Sequence, residues 1–377
     1  MNIQSFAMPH AAYLNPTLFG SLAGADGVAW ALGRLLFDFK FLSLFSMLFG
    51  ASLILAGEET RPLRRLLWLV VFGLVHAYLV WYGDILFTYG VVGVVVLGAR
   101  RWSPRRQLTV GVTLLVVSTV LVALVALFFD ALPGSFAESI AKHLDARSIA
   151  AEVTAYRSGW LAQTPLRAAL SFEGQTSGLL LETGWRAAGC MLVGMAATRR
   201  RVFDGAVPVW PWVPLGLASG LAITGAGMVL AWTQDFRVKP WLFAQALHEL
   251  GAIPLSMAIG LSVVALANRY AGTAVVESVG RLGRVAFTAY LMHSLVGTWV
   301  FGGQGLGLFG TWSRTTLLVV PLAVWIVQIF LARLWTARYR VGPVEALWRG
   351  LARGEFSVGR VTATPSSPPA FARMPEP

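Results

Sequence analysis

Apolar residues along the chain form long runs that short polar connections separate. A transmembrane α-helix needs about 20 predominantly apolar residues, and most of these runs approach that length. The pattern therefore predicts an all-α, polytopic transmembrane helical bundle with about nine spans. The predicted spans cover residues 39–56, 66–81, 85–97, 108–129, 178–197, 209–232, 242–267, 285–301 and 315–335.

The runs and connections divide the chain into five parts. Residues 1–38 lack an apolar run of spanning length and are predicted to be an external segment. Residues 39–129 hold the first four spans, and residues 130–177 form a polar external segment with short surface helices. Residues 178–354 hold the other five spans. Residues 355–377 are rich in Pro, Ser and Ala, a composition typical of a disordered tail.

Composition supports a membrane protein. The 377 residues are 56% hydrophobic and 13% charged, with a mean hydropathy of +0.66, which excludes an ordinary soluble domain. A formal charge of +12 would suggest nucleic acid as the partner of a soluble protein. Here the arginines lie between apolar runs, so membrane topology explains them and no nucleic-acid partner is expected. Cys190 is the only cysteine, which excludes an intrachain disulfide and a cysteine metal cluster.

Positive charge predicts the orientation. Cytoplasmic connections of membrane proteins are enriched in Lys and Arg, which places the N-terminus outside and the C-terminus inside. An external N-terminal segment needs a preceding span to carry it across, so we expect a tenth helix to be missing before Met1. The connections predicted to be cytoplasmic hold Arg61, Arg64, Arg65, Arg100, Arg101, Arg105, Arg106, Arg199, Arg200, Arg201, Arg269, Arg281 and Arg284.

One histidine and one carboxylate mark the candidate catalytic centre. His76 lies inside the second span, and Asp84 follows in the turn to the third. An ionisable residue within a span costs about 2.5–3.5 kcal/mol and is usually functional. Histidine beside a carboxylate suits general-base catalysis, with Asp84 or Glu249 orienting the imidazole. The sequence leaves open a structural His76 that only bonds a neighbouring helix.

The other ionisable residues of the spans fall mostly in the outer half and predict a polar cavity that opens outward. An i, i+4 spacing favours an ion pair between Glu182 and Arg186, and His293 is either a cavity residue or a packed, hydrogen-bonded histidine. No HExxH spacing occurs, so no metal site is expected. His10 is the reserve candidate for the base. The predicted cavity-lining residues are Lys40, Glu182, Arg186, His248 and His293.

Seven stretches together carry a family resemblance. They are AAYLNPT at 11–17, KFLSLFSMLFGASL at 40–53, GLVHAYLVWYGDILFTYGVVG at 73–93, GWRAAGCMLVGMA at 184–196, HELGAIP at 248–254, GRLGRVAFTAYLMHSL at 280–295 and GPVEALWRGL at 342–351. With them the chain resembles the YeiB-like family of bacterial inner-membrane proteins, domain of unknown function 418. Relatives begin with a span that ends in an Asn like Asn2, in agreement with a missing first helix. Many relatives carry Gln at the position of His293.

The resemblance implies a function. The YeiB-like family is assigned to a superfamily of transmembrane acyltransferases, which implies a cytoplasmic donor such as acyl-CoA. It also implies an outer acceptor, a small molecule or glycan, and membrane lipid around the bundle. Guanidinium groups fit phosphate oxygens, so Arg64, Arg65, Arg199 and Arg200 are the candidates for binding CoA phosphates. The alternative is that these arginines only set topology.

The sequence leaves two other functions open. A transporter or exporter would use the same ionisable residues as a proton relay or substrate site. Such folds are commonly built from two matching halves with broken helices, and the sequence has no convincing internal repeat. A structural membrane protein without catalysis is the third interpretation.

Overall fold

The computed structural model describes residues 3–57, 60–131, 134, 138, 143–204 and 210–354, and within them the chain is helical and forms no β-strand. The predicted all-α class is therefore confirmed. A π-helix, Gly174–Thr183, connects α9 to α10. The α-helices are α1 Ile3–Ala7, α2 Ala11–Leu14, α3 Ala25–Leu36, α4 Lys40–Leu55, α5 Pro62–Leu79, α6 Leu86–Val96, α7 Pro104–Leu127, α8 Ala146–Ser158, α9 Trp160–Glu173, α10 Gly184–Arg199, α11 Trp212–Thr233, α12 Val238–Arg269, α13 Ala274–Gly283, α14 Ala286–Phe301, α15 Arg314–Leu317, α16 Val319–Thr336 and α17 Pro343–Arg353.

Six of the predicted spans coincide with segments that are long and apolar enough to cross a membrane. Three others correspond to α6, α10 and α14, which have 11, 16 and 16 residues and are shorter than a typical span. The chain is a polytopic membrane protein, and the count of nine spans stays a prediction. The six segments are Ala25–Leu55, Pro62–Leu79, Pro104–Leu127, Trp212–Thr233, Val238–Arg269 and Arg314–Thr336.

The first of these segments begins earlier than the apolar pattern indicates. Helix α3 lies within residues 1–38, for which the sequence predicts no span, and it leads into α4 through a break at Phe39. Phe39 has a φ of 61°, in the left-handed region that side chains other than glycine rarely adopt. Glycines and Asp26 dilute the apolar run of α3, although Trp30 on the same helix is buried.

Helix α10 forms the centre of the bundle. It packs against α4 and α7, and its side chains from Ala187 to Ala196 are almost all buried. Backbones of α4 and α10 touch directly: a Cβ at Gly50 would lie 1.9 Å from the Met191 carbonyl oxygen, and one at Gly194 would lie 1.9 Å from that of Met47. Small residues permit such close helix contacts within membranes.

The chain between α7 and α10 is less separate from the bundle than its polar composition indicates. Residues 130–177 are predicted to be external, with helices at the surface. Helix α9 continues through the π-helix into α10, so helical structure runs from Trp160 to Arg199. Helix α9 also packs against α5. The predicted disordered tail, residues 355–377, lies outside the described residues.

Helix α17 closes the arginine-rich end of the bundle. Glu345 Oε1 accepts hydrogen bonds from the backbone N–H groups of Phe287 (2.7 Å) and Thr288 (3.1 Å), which otherwise lack partners in the first turn of α14. Trp348 Nε1 donates to the Arg65 carbonyl at 2.8 Å. The motif GPVEALWRGL therefore fastens α14 to α5.

Candidate functional site

His76 and Asp84 form a buried pair at one end of the bundle. His76 Nδ1 lies 2.8 Å from Asp84 Oδ1, and their side chains are 2% and 1% exposed. Asp84 Oδ2 accepts from the Phe87 N–H at 2.8 Å, at the start of α6. A carboxylate is stabilised by the N-terminus of a helix, so α6 holds Asp84 in place for His76.

This contact selects one tautomer of the neutral imidazole. An ionised carboxylate only accepts hydrogen bonds, so Nδ1 carries the proton and Nε2 keeps its lone pair. Nε2 of His76 is buried and has no hydrogen-bond partner among the described residues. The pair therefore has the arrangement of a general base: an acceptor nitrogen available for a proton and a carboxylate behind it to stabilise the imidazolium.

Aromatic rings enclose the imidazole. The Tyr290 ring of α14 lies 5.3 Å from that of His76, and the Trp81 ring lies 6.4 Å away with its plane nearly perpendicular. Phe6 stacks on Trp81 at 4.1 Å, so the N-terminal helix α1 completes this wall. A site enclosed in this way has little contact with water, which strengthens the electrostatic effect of Asp84.

Helix α9 supplies the missing partners for the C-terminus of α5. The last four carbonyl groups of a helix lack intrahelical donors. Ser171 Oγ donates to the Ala77 carbonyl at 3.0 Å, Arg167 Nε to that of Tyr78 at 2.9 Å, and Trp160 Nε1 to that of Leu79 at 2.7 Å. None of these three donors was predicted from the sequence. Their spacing along α9, at positions 160, 167 and 171, is the signal of a common helix face.

Lys40 and His248 form a second buried pair. Lys40 Nζ lies 2.9 Å from His248 Nε2 and donates to the Arg34 carbonyl at 2.8 Å. Both side chains are buried. An ammonium group only donates, so a protonated Lys40 makes Nε2 of His248 an acceptor. Nε2 of His248 is therefore engaged by Lys40 and is not available to accept a proton from a substrate.

Arg186 and Glu249 are the neighbouring ion pair. Arg186 Nη2 lies 3.1 Å from Glu249 Oε2, and the side chains are 2% and 1% exposed. Ser118 Oγ donates to Glu249 Oε2 at 3.5 Å and to the Glu182 carbonyl at 3.3 Å. Asp84 is thus the carboxylate that contacts His76, whereas Glu249 contacts Arg186. Glu182 lies near the end of the π-helix and forms no ion pair with Arg186 among the described residues, so the predicted i, i+4 pair is not observed.

Two charged residues of the N-terminal segment extend this network. Arg34 Nη1 pairs with Asp38 Oδ2 at 3.2 Å, and Arg34 Nη2 donates to Gln245 Oε1 at 2.9 Å. The guanidinium group also lies 4.7 Å from the centre of the Trp241 ring. The apolar pattern does not indicate Arg34 or Asp38, because it places their segment outside the bundle.

The remaining histidines have local partners. His293 Nδ1 lies 2.9 Å from the Ala289 carbonyl oxygen and 3.1 Å from Gln328 Nε2, the geometry of a packed, hydrogen-bonded residue. The His10 backbone N–H donates to both Glu152 oxygens, at 3.0 and 3.2 Å. Burial raises the pKa of Glu152 to about 7, and burial together with the charge of His143 lowers the pKa of His10 to about 4.

The four arginines predicted to bind phosphates differ in their surroundings. Arg65 lies over the Trp348 ring at 4.3 Å, and Arg199 donates to the Arg100 carbonyl. Arg64, Arg199 and Arg200 are exposed at the arginine-rich end of the bundle, whereas Arg65 is half-buried. Exposed guanidinium groups are better placed to meet a phosphate in solution. For metals, the described residues contain no group of three His, Cys, Asp or Glu side chains that could hold an ion.

Similar sequences in two bacteria extend over nearly the whole chain. The family model "Protein of unknown function (DUF418)" matches residues 197–355. The uncharacterised protein YeiB of Escherichia coli K12 is 32% identical over 368 residues, covering 93% of this chain and 91% of YeiB. The uncharacterised protein YxaH of Bacillus subtilis 168 is 27% identical over 356 residues, covering 86% of this chain and 82% of YxaH. No solved structure matches the chain.

Proposed function

Because the chain belongs to the YeiB-like DUF418 family of multi-pass membrane proteins, and because it buries a His–Asp pair inside its bundle, we propose that it is a membrane acyltransferase with His76 as general base. One observation carries the proposal. Asp84 contacts Nδ1 of the His76 ring, whereas Nε2 of the same ring has no hydrogen-bond partner among the described residues. The predicted bacterial inner membrane is part of this proposal.

The proposed step is direct acyl transfer from a thioester. Nε2 of His76 accepts the proton of the acceptor hydroxyl or amine while that oxygen or nitrogen attacks the thioester carbonyl carbon. The new C–O or C–N bond forms, the C–S bond breaks, and the proton passes from the imidazolium to the departing thiolate. Asp84 keeps Nδ1 protonated and stabilises the imidazolium during the step.

The donor has to approach from the arginine-rich end. His76 lies 11 residues after Arg65 on α5, which is about 17 Å along the helix axis. A CoA thioester whose phosphates meet Arg64 and Arg200 must therefore extend its pantetheine arm into the bundle by about that distance. The acceptor approaches from the other end, where α9 covers the terminus of α5.

Replacing His76 with Ala tests the proposal. We expect turnover of a labelled acyl-CoA by the purified protein in lipid nanodiscs to fall by roughly 10²–10⁴-fold, the usual contribution of a general base. His293→Gln is the matched control, because His293 lies on a bundle helix and has its own hydrogen bonds. Normal turnover by well-folded His76→Ala would exclude the catalytic role, and normal turnover by His293→Gln would show that the loss is specific.

The second buried cluster favours one alternative, proton-coupled transport. Lys40–His248 and Arg186–Glu249 place titratable groups within hydrogen-bond distance inside the bundle, as a proton relay requires. In proteoliposomes with a pH gradient, a transporter would show proton flux that Glu249→Gln abolishes and His76→Ala retains. The acyltransferase gives the opposite result: no proton flux, and turnover that depends on His76.

A further inference from the structure

An apolar groove lies on the side of the bundle beside the end of α5. Its volume is about 500 Å³, and α5, α9 and α14 form its walls. Leu79 and Trp160 line it from α5 and α9, Leu295 and Trp299 line it from α14, and Gln304 lines it from the loop after α14. Leu295 is 55% exposed and Trp299 is 59% exposed, so the groove is open along the outside of α14. In a membrane protein, such a surface faces lipid.

A small cavity continues the groove inward. Its volume is about 10 Å³, and it shares Val80 and Thr298 with the groove. Arg167 lines this cavity and is only 1% exposed. Its Nε donates to the Tyr78 carbonyl and its Nη2 to Thr164 Oγ1, whereas Nη1 has no hydrogen-bond partner in the described part of the chain. A buried guanidinium nitrogen without an acceptor is costly, so an acceptor atom is expected here.

The size of the cavity restricts that acceptor. A space of about 10 Å³ accommodates one water-sized group, so it admits a single oxygen atom and excludes a whole phosphate. The apolar groove next to it suits a hydrocarbon chain. Trp160 and Trp299 flank the groove, and tryptophan is enriched where lipid chains meet their polar head groups. The combined site therefore matches the junction between an acyl chain and its ester.

We propose that this groove binds an ester-linked glycerolipid from the surrounding leaflet. One acyl chain lies in the groove, and its ester carbonyl oxygen accepts a hydrogen bond from Arg167 Nη1. The polar head group remains outside, at the level of Trp160 and Trp299. This binding is separate from the acyl transfer proposed above.

The inner cavity ends close to the His76 pair. Trp81 lines the cavity, and the centre of its ring lies 6.4 Å from that of the His76 ring. A lipid in the groove is therefore one aromatic side chain away from the proposed base. That such a lipid is the outer-face substrate of His76 rests on the proposed function, whereas its binding does not.

The test compares two lipids that differ only in the carbonyl group. Purified protein is reconstituted with photoreactive phosphatidylglycerol carrying either ester-linked or ether-linked chains, and crosslinked peptides are identified by mass spectrometry. We expect crosslinks at residues 160–167 and 295–304, with the ester lipid captured about tenfold better, the ratio for a hydrogen bond to a charged donor. Arg167→Met should reduce that ratio to about one while the crosslinks stay confined to residues 160–167 and 295–304, which shows that the groove itself is still formed.

A substitution that fills the groove provides a second, independent test. Leu295→Trp should reduce capture at these peptides at least fivefold, because the larger ring occupies the groove. Leu322→Trp on α16 is the matched control, since Leu322 is also 55% exposed and does not line the groove. Crosslinks spread evenly over all lipid-facing helices, or equal capture by Leu295→Trp and Leu322→Trp, would contradict the proposal that this groove binds lipid. Equal capture of ester and ether lipids would overturn the role of Arg167.

The two proposals fail separately. Binding by His76→Ala at the level of the unmodified chain, with loss of turnover, supports both. Normal turnover of His76→Ala removes the acyltransferase and leaves the lipid site standing. His76 lines neither the groove nor the small cavity, so a loss of lipid capture in His76→Ala would contradict the proposed lipid site.

Discussion

At the scale of single residues, burial decides which ionisable side chains can do chemistry. His76, Lys40, His248 and Glu249 are all nearly inaccessible, yet only His76 combines a carboxylate on one ring nitrogen with an unpartnered second nitrogen among the described residues. Nε2 of His248 is already occupied by Lys40. The hydrogen-bond inventory of each ring therefore separates a candidate base from a structural histidine.

Replacing Asp84 with Asn tests how much the carboxylate contributes. Asn has a single acceptor oxygen, whereas Asp84 accepts with Oδ1 from His76 and with Oδ2 from the Phe87 N–H, so the variant loses one of these contacts together with the charge that stabilises the imidazolium. We expect a reduction in turnover that is measurable and smaller than that of His76→Ala, because the base stays in place. Because an amide NH2 replaces one of the two oxygens, a buried hydrogen bond is also lost, and we expect a lower melting temperature that corresponds to about 1–3 kcal/mol of stability. Turnover equal to that of the unmodified protein would show that Asp84 has no catalytic role.

The shifted pKa values of Glu152 and His10 predict two opposite effects of pH on the stability of the fold. The raised pKa of Glu152, about 7, means that stability falls as pH rises from about 4.5 to 7, because the unfolded chain loses its proton first. The lowered pKa of His10, about 4, means that stability falls as pH decreases from about 6.5 to 4. The two effects oppose each other between pH 4.5 and 6.5.

Thermal melts of single variants separate the two effects. Between pH 4.5 and 6.5, Glu152→Gln should become more stable with rising pH, because only the His10 effect remains. His10→Ala should become less stable with rising pH over the same range and up to about pH 7. The backbone N–H of His10 still reaches Glu152 in that variant, so the contact itself is kept. Parallel melting curves for both variants would contradict the assignment.

At the scale of elements, helix length and helix contact explain where the predicted spans differ from the observed helices. Helix α10 has 16 residues and is buried on nearly all sides, so it needs neither the length nor the apolar exterior of a lipid-facing span. Helix α3 contains glycines and an acidic residue, which dilute its apolar pattern. It nevertheless extends the first membrane segment, because only a short break at Phe39 separates it from α4. Apolar pattern predicts lipid-facing helices better than central ones, since lipid contact is what demands a long apolar surface.

The contact between α4 and α10 can be tested with a single methyl group. In Gly50→Ala the new Cβ meets the Met191 carbonyl oxygen at 1.9 Å, so the two helices have to separate. We expect a loss of about 1–3 kcal/mol, seen as a lower melting temperature in detergent. Gly225→Ala on α11 is the control, because nothing lies within 4 Å of its Cβ position and the helix should gain up to about 1 kcal/mol. Equal melting temperatures for the two variants would contradict this packing.

At the scale of the whole molecule, the arginine-rich end of the bundle predicts the orientation and also takes part in helix packing. The arginine-rich connections include Arg65 and Arg199, which also contact Trp348 and the Arg100 backbone, so these residues contribute to packing as well as to charge. The candidate base lies at the other end of α5. An orientation with the arginines inside the cell therefore places the His76 pair toward the outer face.

Reporter fusions test this orientation. Fusions after Arg65, Arg106, Arg201 and Arg284 should report the cytoplasm, because these positions follow the arginine-rich connections. Fusions at Lys142 and Arg237 should report the outside. An alkaline phosphatase and a fluorescent protein used in parallel give opposite signals on the two sides, so each site is measured twice. A cytoplasmic signal at Lys142 would place α9 and the His76 pair on the inner face and reverse the proposed directions of donor and acceptor.

The sequence by itself determined the class of the protein and one chemical pair. Long apolar runs require helices in a bilayer, because every backbone polar group there must find an internal partner. His76 and Asp84 are close in sequence, with one turn between their helices, so their contact follows from local connectivity. Motifs spread along the chain were sufficient to indicate the family.

Only the tertiary structure decided the long-range contacts. Arg186 meets Glu249 and Lys40 meets His248 across more than 60 residues in each case, and side-chain spacing along one helix carries no information about such pairs. Arg167 and Trp160 reach the end of α5 from a segment whose polar composition resembles an external loop. The physical reason is that helix-to-helix packing is set by shape and by unpaired backbone groups, which become visible only when the helices are assembled.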